Sequence, residues 1–275
     1  MTNRLAVVLT FVFSLGLATT SGCATGGSVG DRANRAAADV LLPPRQEEDL
    51  GSNFSEQIAS EVSFHPNESV QSYVNDLGAL AVESARSRGD IPSGIKFEFR
   101  VIDNDETINA FAGPGGQIYV YTGLLKRAGS AAEVLSVLCH EVAHVTERHI
   151  AERLVAIYGL EALKRAALGD NPGMLGNLVT SAAAQGFMLK YSRSHETEAD
   201  ETGLTYMLGT GYDPRGFIQF FELIQQESGP RPPQFLSSHP FPEDRIANIR
   251  KRLEGRGSLS DKSGEERHTQ ILQSL

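Results

Sequence analysis

Two cysteines in 275 residues leave no basis for a disulfide framework. If Cys23 is modified, Cys139 has no partner even in an oxidising compartment. Positive charge is also scarce. Beyond residue 22 the chain carries 24 basic against 34 acidic side chains, a net charge of −10. That balance excludes an electrostatic footprint for nucleic acid and a basic patch for anionic lipid. The N-terminal apolar run, Leu5 to Leu17, is thirteen residues long, whereas a spanning helix needs about 20. Internal repeats are absent as well.

What is present at the N-terminus suits export. Arg4 precedes the apolar run, and Thr20-Ser21-Gly22-Cys23 follows it. Small residues leading into a cysteine resemble a bacterial lipobox, which implies a signal peptide over 1–22, cleavage before Cys23 and lipid on its thiol. Thr20 stands where leucine is usual, so an uncleaved anchor or a plain signal peptide ending near Ala24 stays open. Ala24, rather than Asp, after the cysteine resembles lipoproteins sorted to the periplasmic face of the outer membrane. Residues 23–50 are Gly, Ala, Ser and charge with Pro43-Pro44, which predicts a flexible tether.

Periodicity predicts an α+β, helix-rich domain over 51–254 with a small sheet, followed by a polar tail over 255–275. Asn67 to Arg88 places Val70, Tyr73, Val74, Leu77, Leu80 and Ala81 on one helical face. Ile95 to Asp103 alternates as a half-exposed strand, and Gln117 to Tyr121 is a second.

The chemistry is concentrated at His140-Glu141-Val142-Ala143-His144. Two histidines four apart lie about 40° apart around a helix axis, so both imidazoles reach one zinc ion, with Glu141 beside a metal-bound water. Ser130 and Glu133 form a capping box, and Val134, Leu135, Val137, Leu138, Val142, Val145 and Ile150 continue at helical spacing. A catalytic zinc keeps three protein ligands and an open position. Downstream, Glu196 and Asp200 share one helical face while Glu198 is turned by about 200° from Glu196. Glu196 is therefore assigned to the metal, and Asp200 to accepting the other ring N–H of a ligating histidine. Cys139 reads as a small buried apolar residue.

These residues are spaced as in a known family. His140 to His144, the Glu196 to Asp200 pattern, the run Asn109 to Gly116 with Ile118 to Leu124, and Ser238-His239-Pro240 span roughly residues 65–250. The chain resembles the zinc peptidases that include HtpX, the CAAX prenyl protease and the mitochondrial Oma peptidase, and especially the periplasmic BepA and LoiP branch. The resemblance implies a gluzincin-type domain whose sheet edge flanks the active-site helix, one zinc held by His140, His144 and Glu196, and Glu141 as general base. It is to the short form, without the helical-repeat domain of BepA-like members or the spanning helices of the HtpX branch.

Four expectations follow. An extended polypeptide is expected to add as a strand beside the zinc, at Asn109, Gly115, Gly116, Gln117, Ile118 and Tyr119. His239, matching a family histidine, either caps the zinc at rest or stabilises the oxyanion. His149 falls on the far side of a continuous helix, His195 faces away from the metal, and His65 and His268 stand in a loop and a tail. The expected activity is endopeptidase action on unfolded or misassembled envelope proteins, with membrane contact through the lipid only and no nucleic-acid partner. The alternative is a zinc-bound, non-cleaving chaperone or assembly lipoprotein.

Overall fold

The computed structural model describes residues 35–40, 42–158, 191–227, 233–239 and 244–275. The leader over 1–22, the lipidation candidate Cys23, and Pro240 lie outside the described residues. Residues 35–40 are helical, and α1 (Pro44–Glu61) follows, started by Pro43 and a proline in its first turn. Ala38, Leu42, Leu50, Phe54 and Ile58 are buried in the core. The segment read as tether up to residue 50 is thus part of the packed body from about residue 35. Its apolar residues are spaced at helical intervals, and that spacing outweighs the Gly/Ser-rich composition upstream.

Helix α2 (Glu68–Arg88) is capped by Asn67, whose side chain accepts from the Ser69 amide at 2.9 Å, and it stops at left-handed Gly89. Its buried stripe is the expected one except that Leu80 is only partly covered. Strand β1 (Glu98–Ile102) begins three residues later than alternation alone places it. Strand β2 (Ala110–Ala112), a single 3₁₀ turn (Pro114–Gly116) and strand β3 (Gln117–Tyr121) complete a sheet of order β1-β3-β2. β1 pairs with β3 in parallel and β2 pairs with β3 antiparallel, Phe111 opposite Tyr119.

This order overturns part of the substrate expectation. Gln117, Ile118 and Tyr119 lie on the central strand, with backbones paired on both sides. Gly115 and Gly116 are buried, and Gly115, at φ +71°, lies against α1, where an added Cβ would sit 2.9 Å from the Glu47 carbonyl oxygen. Neither glycine can receive a peptide there. The edge that flanks the motif helix is β2. Asn109, just before it, is buried, with its Oδ1 3.3 Å from the Ser238 hydroxyl.

After α3 (Thr122–Arg127) comes the motif helix α4 (Ala131–Thr146), buried from Ala131 through Val145. Ser130 caps it, and the Glu133 carboxylate turns back to the Gly129 amide at 3.0 Å. The helix ends before Arg148, a non-glycine residue at φ +61°, and α5 (His149–Tyr158) leaves in a new direction. The periodic Ile150 thus belongs to the next helix.

Helix α6 (Arg193–Gly209) packs along α4. Its Gly203 faces the Cys139 carbonyl, where a Cβ would come within 3.0 Å, so the two backbones touch beside His140. Helices α7 (Gly216–Gln226), α8 (Gln234–Ser238) and α9 (Arg245–Leu253) close the other side of the site. The expected polar tail contains α10 (Glu265–Leu272), anchored by buried His268 between the Tyr73 hydroxyl (2.7 Å) and the Ala128 carbonyl (2.9 Å). Ala132 and Asp213 also donate their amides to the Ser263 and Lys262 carbonyls, and Ile271 and Leu275 pack against the core; composition does not reveal these contacts. Among the described residues no helix is long and apolar enough to cross a membrane.

Candidate metal centre

The capped start of α4 fixes the rotation of His140, Glu141 and His144, and Ser192, accepting from the His195 amide at 3.2 Å, does the same for α6 and Glu196. The contact at Gly203 then brings the two helices close enough for their side chains to meet. His140 Nε2 lies 3.0 Å from His144 Nε2 and 3.5 Å from Glu196 Oε2, and His144 Nε2 lies 3.4 Å from Glu196 Oε1. His239, which follows α8, adds its Nδ1 at 3.1 Å from Glu196 Oε1 and 3.3 Å from His140 Nε2. One ligating atom from each of the four falls within 4.8 Å of the others, and all four residues are buried.

These residues fit a metal ion. Four ligands at the usual zinc–nitrogen and zinc–oxygen lengths form a tetrahedron with edges of about 3.3 Å; five nitrogen–nitrogen and nitrogen–oxygen separations here are 3.0–3.5 Å, and one atom from each residue lies within 4.8 Å of the rest, close enough for a single ion to reach all four. Three imidazole nitrogens facing one another in a buried pocket are also the donor set a cation would satisfy together.

Electrostatics point the same way. Burial opposes the charge of Glu196, yet His239, Arg245 and the two motif histidines hold its carboxyl well below the usual range. Burial likewise pushes His144 well down, away from protonation, with His140 and His149 adding to the effect. Burial opposes the proton on His140 too, but Asp200 and Glu196 outweigh it and raise the ring to about 9. Glu141 is raised by burial; the backbone N–H of Ala112, on β2, is among the groups that favour its charge. Its Oε1 stands 3.5 Å from His239 Nε2.

The His140 shift gives a signed expectation. A histidine raised from 6.5 to about 9 stabilises the metal-free fold below pH 6.5 and loses that contribution as pH rises through 9. Metal-free protein should therefore lose about 5 °C in Tm between pH 7 and 9.5. With metal bound, His140 is already neutral and the slope should vanish; parallel slopes in thermal unfolding would refute it.

Asp200 lies 3.0 Å from His140 Nδ1, where a ring N–H acceptor belongs. Sequence reasoning did not find Arg245. Its guanidinium, 1 % exposed, lies 2.8 Å from Glu196 and donates to both Asp200 oxygens at 2.6 Å. It also lies over the Phe221 ring, 4.4 Å from the centroid. Only its place at the first position of an amphipathic helix hinted at it. Tyr191 was missed as well; it is buried and stacks on the His144 ring at 3.7 Å. His149, expected on the far side of the helix, is buried behind His144, because the turn at Arg148 breaks the helix from which its placement was projected; His195 stays out of the ligand group, with its ring stacked on that of His149. Cys139 is fully buried, its thiol pushed up by burial, and it takes no part in the ligand group.

The profile of Peptidase family M48 matches residues 66–253. Among curated relatives, the chain is 30% identical over 241 residues to the beta-barrel assembly-enhancing protease of Escherichia coli, covering 84% of this chain and 48% of that one. It is 35% identical over 193 residues to the putative beta-barrel assembly-enhancing protease of Vibrio cholerae (66% and 38%). It is 37% identical over 147 residues to the mitochondrial metalloendopeptidase OMA1 of Arabidopsis thaliana (54% and 30%). The chain thus spans about half the length, or less, of these relatives. With the family profile matched across both motif helices and their four converging side chains, the chain belongs to peptidase family M48.

Proposed function

We propose that the chain is a zinc-dependent endopeptidase acting on unfolded or misassembled polypeptides of the cell envelope. One observation carries this reading: Glu141 is buried next to a four-residue ligand group and beside β2, the outer strand of the sheet, whose Ala112 amide bonds its carboxylate. Zinc suits the nitrogen-rich donor set, and when bound it would supply Lewis acidity and a water whose pKa falls toward about 7. Glu141 accepts a proton from the attacking water and delivers it to the leaving nitrogen. A carboxylate already raised by burial suits both halves of that task. The substrate is held extended along β2, Ala110–Ala112, so that backbone rather than side chains is read. The relatives named for assembly of β-barrels favour envelope substrates. A lipid on Cys23 would place the enzyme at the periplasmic face of the outer membrane.

A second reading, a metal-bound chaperone or assembly factor that does not cut, is favoured by His239, which closes the fourth corner of the ligand group. One assay separates the two. Casein digestion that stops with a chelator and returns with zinc is expected of the peptidase. In that assay His239→Ala should change the rate at least about fivefold, upward if the histidine only caps the metal and downward if it stabilises the oxyanion. No chelator-sensitive cleavage by either protein would leave the chaperone reading standing.

A further inference from the structure

Each histidine of the motif turns a second ring nitrogen toward the protein. Behind His140 stands Asp200, gripped by Arg245. Behind His144 stands His149, with the two Nδ1 atoms 2.8 Å apart. His149 Nε2 lies 3.3 Å from Glu198 Oε2, and Glu198 accepts from Arg35 Nη2 at 2.8 Å and Nη1 at 3.2 Å. Arg35 also binds Glu152, which faces His195 Nε2 at 3.1 Å, and the His195 ring stacks on His149 with centroids 4.4 Å apart.

The protons along this line can be assigned in one direction only. For His144 to offer the Nε2 lone pair to a metal, its Nδ1 must carry the proton and donate it. His149 then accepts at Nδ1 and holds its own proton on Nε2, which donates to the Glu198 carboxylate; Glu198 accepts from the guanidinium. Reversing the line puts a proton on His144 Nε2, where the metal belongs. The same N-terminal segment that carries Arg35 also holds the bend that delivers His149. Arg148 pairs with Asp39 at 3.1 Å and Glu47 at 3.3 Å and donates to the Leu42 carbonyl.

From this geometry we infer that His149 and Glu198 are positioning residues that lock His144 in its metal-binding tautomer, and that Arg35 couples the N-terminal segment to retention of the metal. The inference rests on the metal-site reading above and extends it to one residue, Arg35, roughly a hundred positions upstream of the motif. Partners of ligating histidines commonly set metal affinity by 10- to 100-fold.

The test is the zinc dissociation constant of the full chain, by competition with a chromogenic chelator. His149→Phe, which keeps the ring stack, should weaken zinc about 10- to 100-fold, and Glu198→Ala about 10-fold. Arg35→Ala should weaken it several-fold, and Arg35→Lys should restore only part of that loss, because a point charge cannot fork across both Glu198 oxygens. In a His149→Phe background, Arg35→Ala should add nothing, since the line is already cut. Zinc binding within twofold of the parent in Glu198→Ala, a partly exposed position whose change keeps the fold, would overturn the proposal. So would an undiminished Arg35 effect in the His149→Phe background. A parent chain that binds no zinc would instead bring down the metal reading itself.

Discussion

Glu141→Gln is expected to lower the rate of peptide hydrolysis by about 10²- to 10⁴-fold while zinc stays bound. The substituted amide would have almost the same shape but no basic oxygen, so the attacking water would keep its proton and the leaving amine would receive none. Stability should move the other way. The carboxyl is fully buried and raised by that burial. A raised carboxyl costs the fold stability above its unfolded value, so removing the charge should leave the metal-free Tm unchanged or higher near pH 7. Turnover on a fluorogenic peptide, zinc stoichiometry and thermal unfolding check the three parts. Full proteolysis with zinc in place would refute the assignment of the base.

Arg245→Met should be the most destabilising single change at the site. The side chain neutralises Glu196 and Asp200 together from a position 1 % exposed. Methionine keeps most of the volume over Phe221 but leaves two buried carboxylates without their cation, a loss of about 3–5 kcal/mol. For a chain of this size that corresponds to roughly 10 °C in Tm. Lysine should not substitute fully, because a point charge cannot fork across both Asp200 oxygens. A Tm within 2 °C of the parent would show that water reaches the pair and screens it.

The metal ligands were legible because their spacing is local. His140 and His144 share a helical face whatever the fold, and Glu196 and Asp200 do the same one helix later. The capping residue Ser130 and the stripe on α2 were equally local. Legibility failed wherever a position depended on a break or on a distant partner. His149 was placed by continuing a helix through Arg148, whose positive φ turns the chain back toward His144. Gln117 to Tyr119 read correctly as strand, but which strand is central depends on pairing between segments and not on alternation within one. Arg245 lies 49 positions beyond Glu196, and no periodicity connects an arginine at one helix start to a carboxylate on another. The docked ends, α1 and α10, were hidden by polar composition because a few apolar contacts suffice to hold a helix.

The glycine contact at the first helix has a practical consequence. Gly51 approaches the Pro114 carbonyl so closely that a Cβ would come within 2.5 Å, and Phe54 lies edge-on to Phe111 and Tyr119. A recombinant fragment trimmed to the family match, which begins at residue 66, would strip this helix away and bare an aromatic surface beside the sheet. Such a surface invites aggregation. The packed body therefore includes α1, well ahead of the boundary that family resemblance alone would draw.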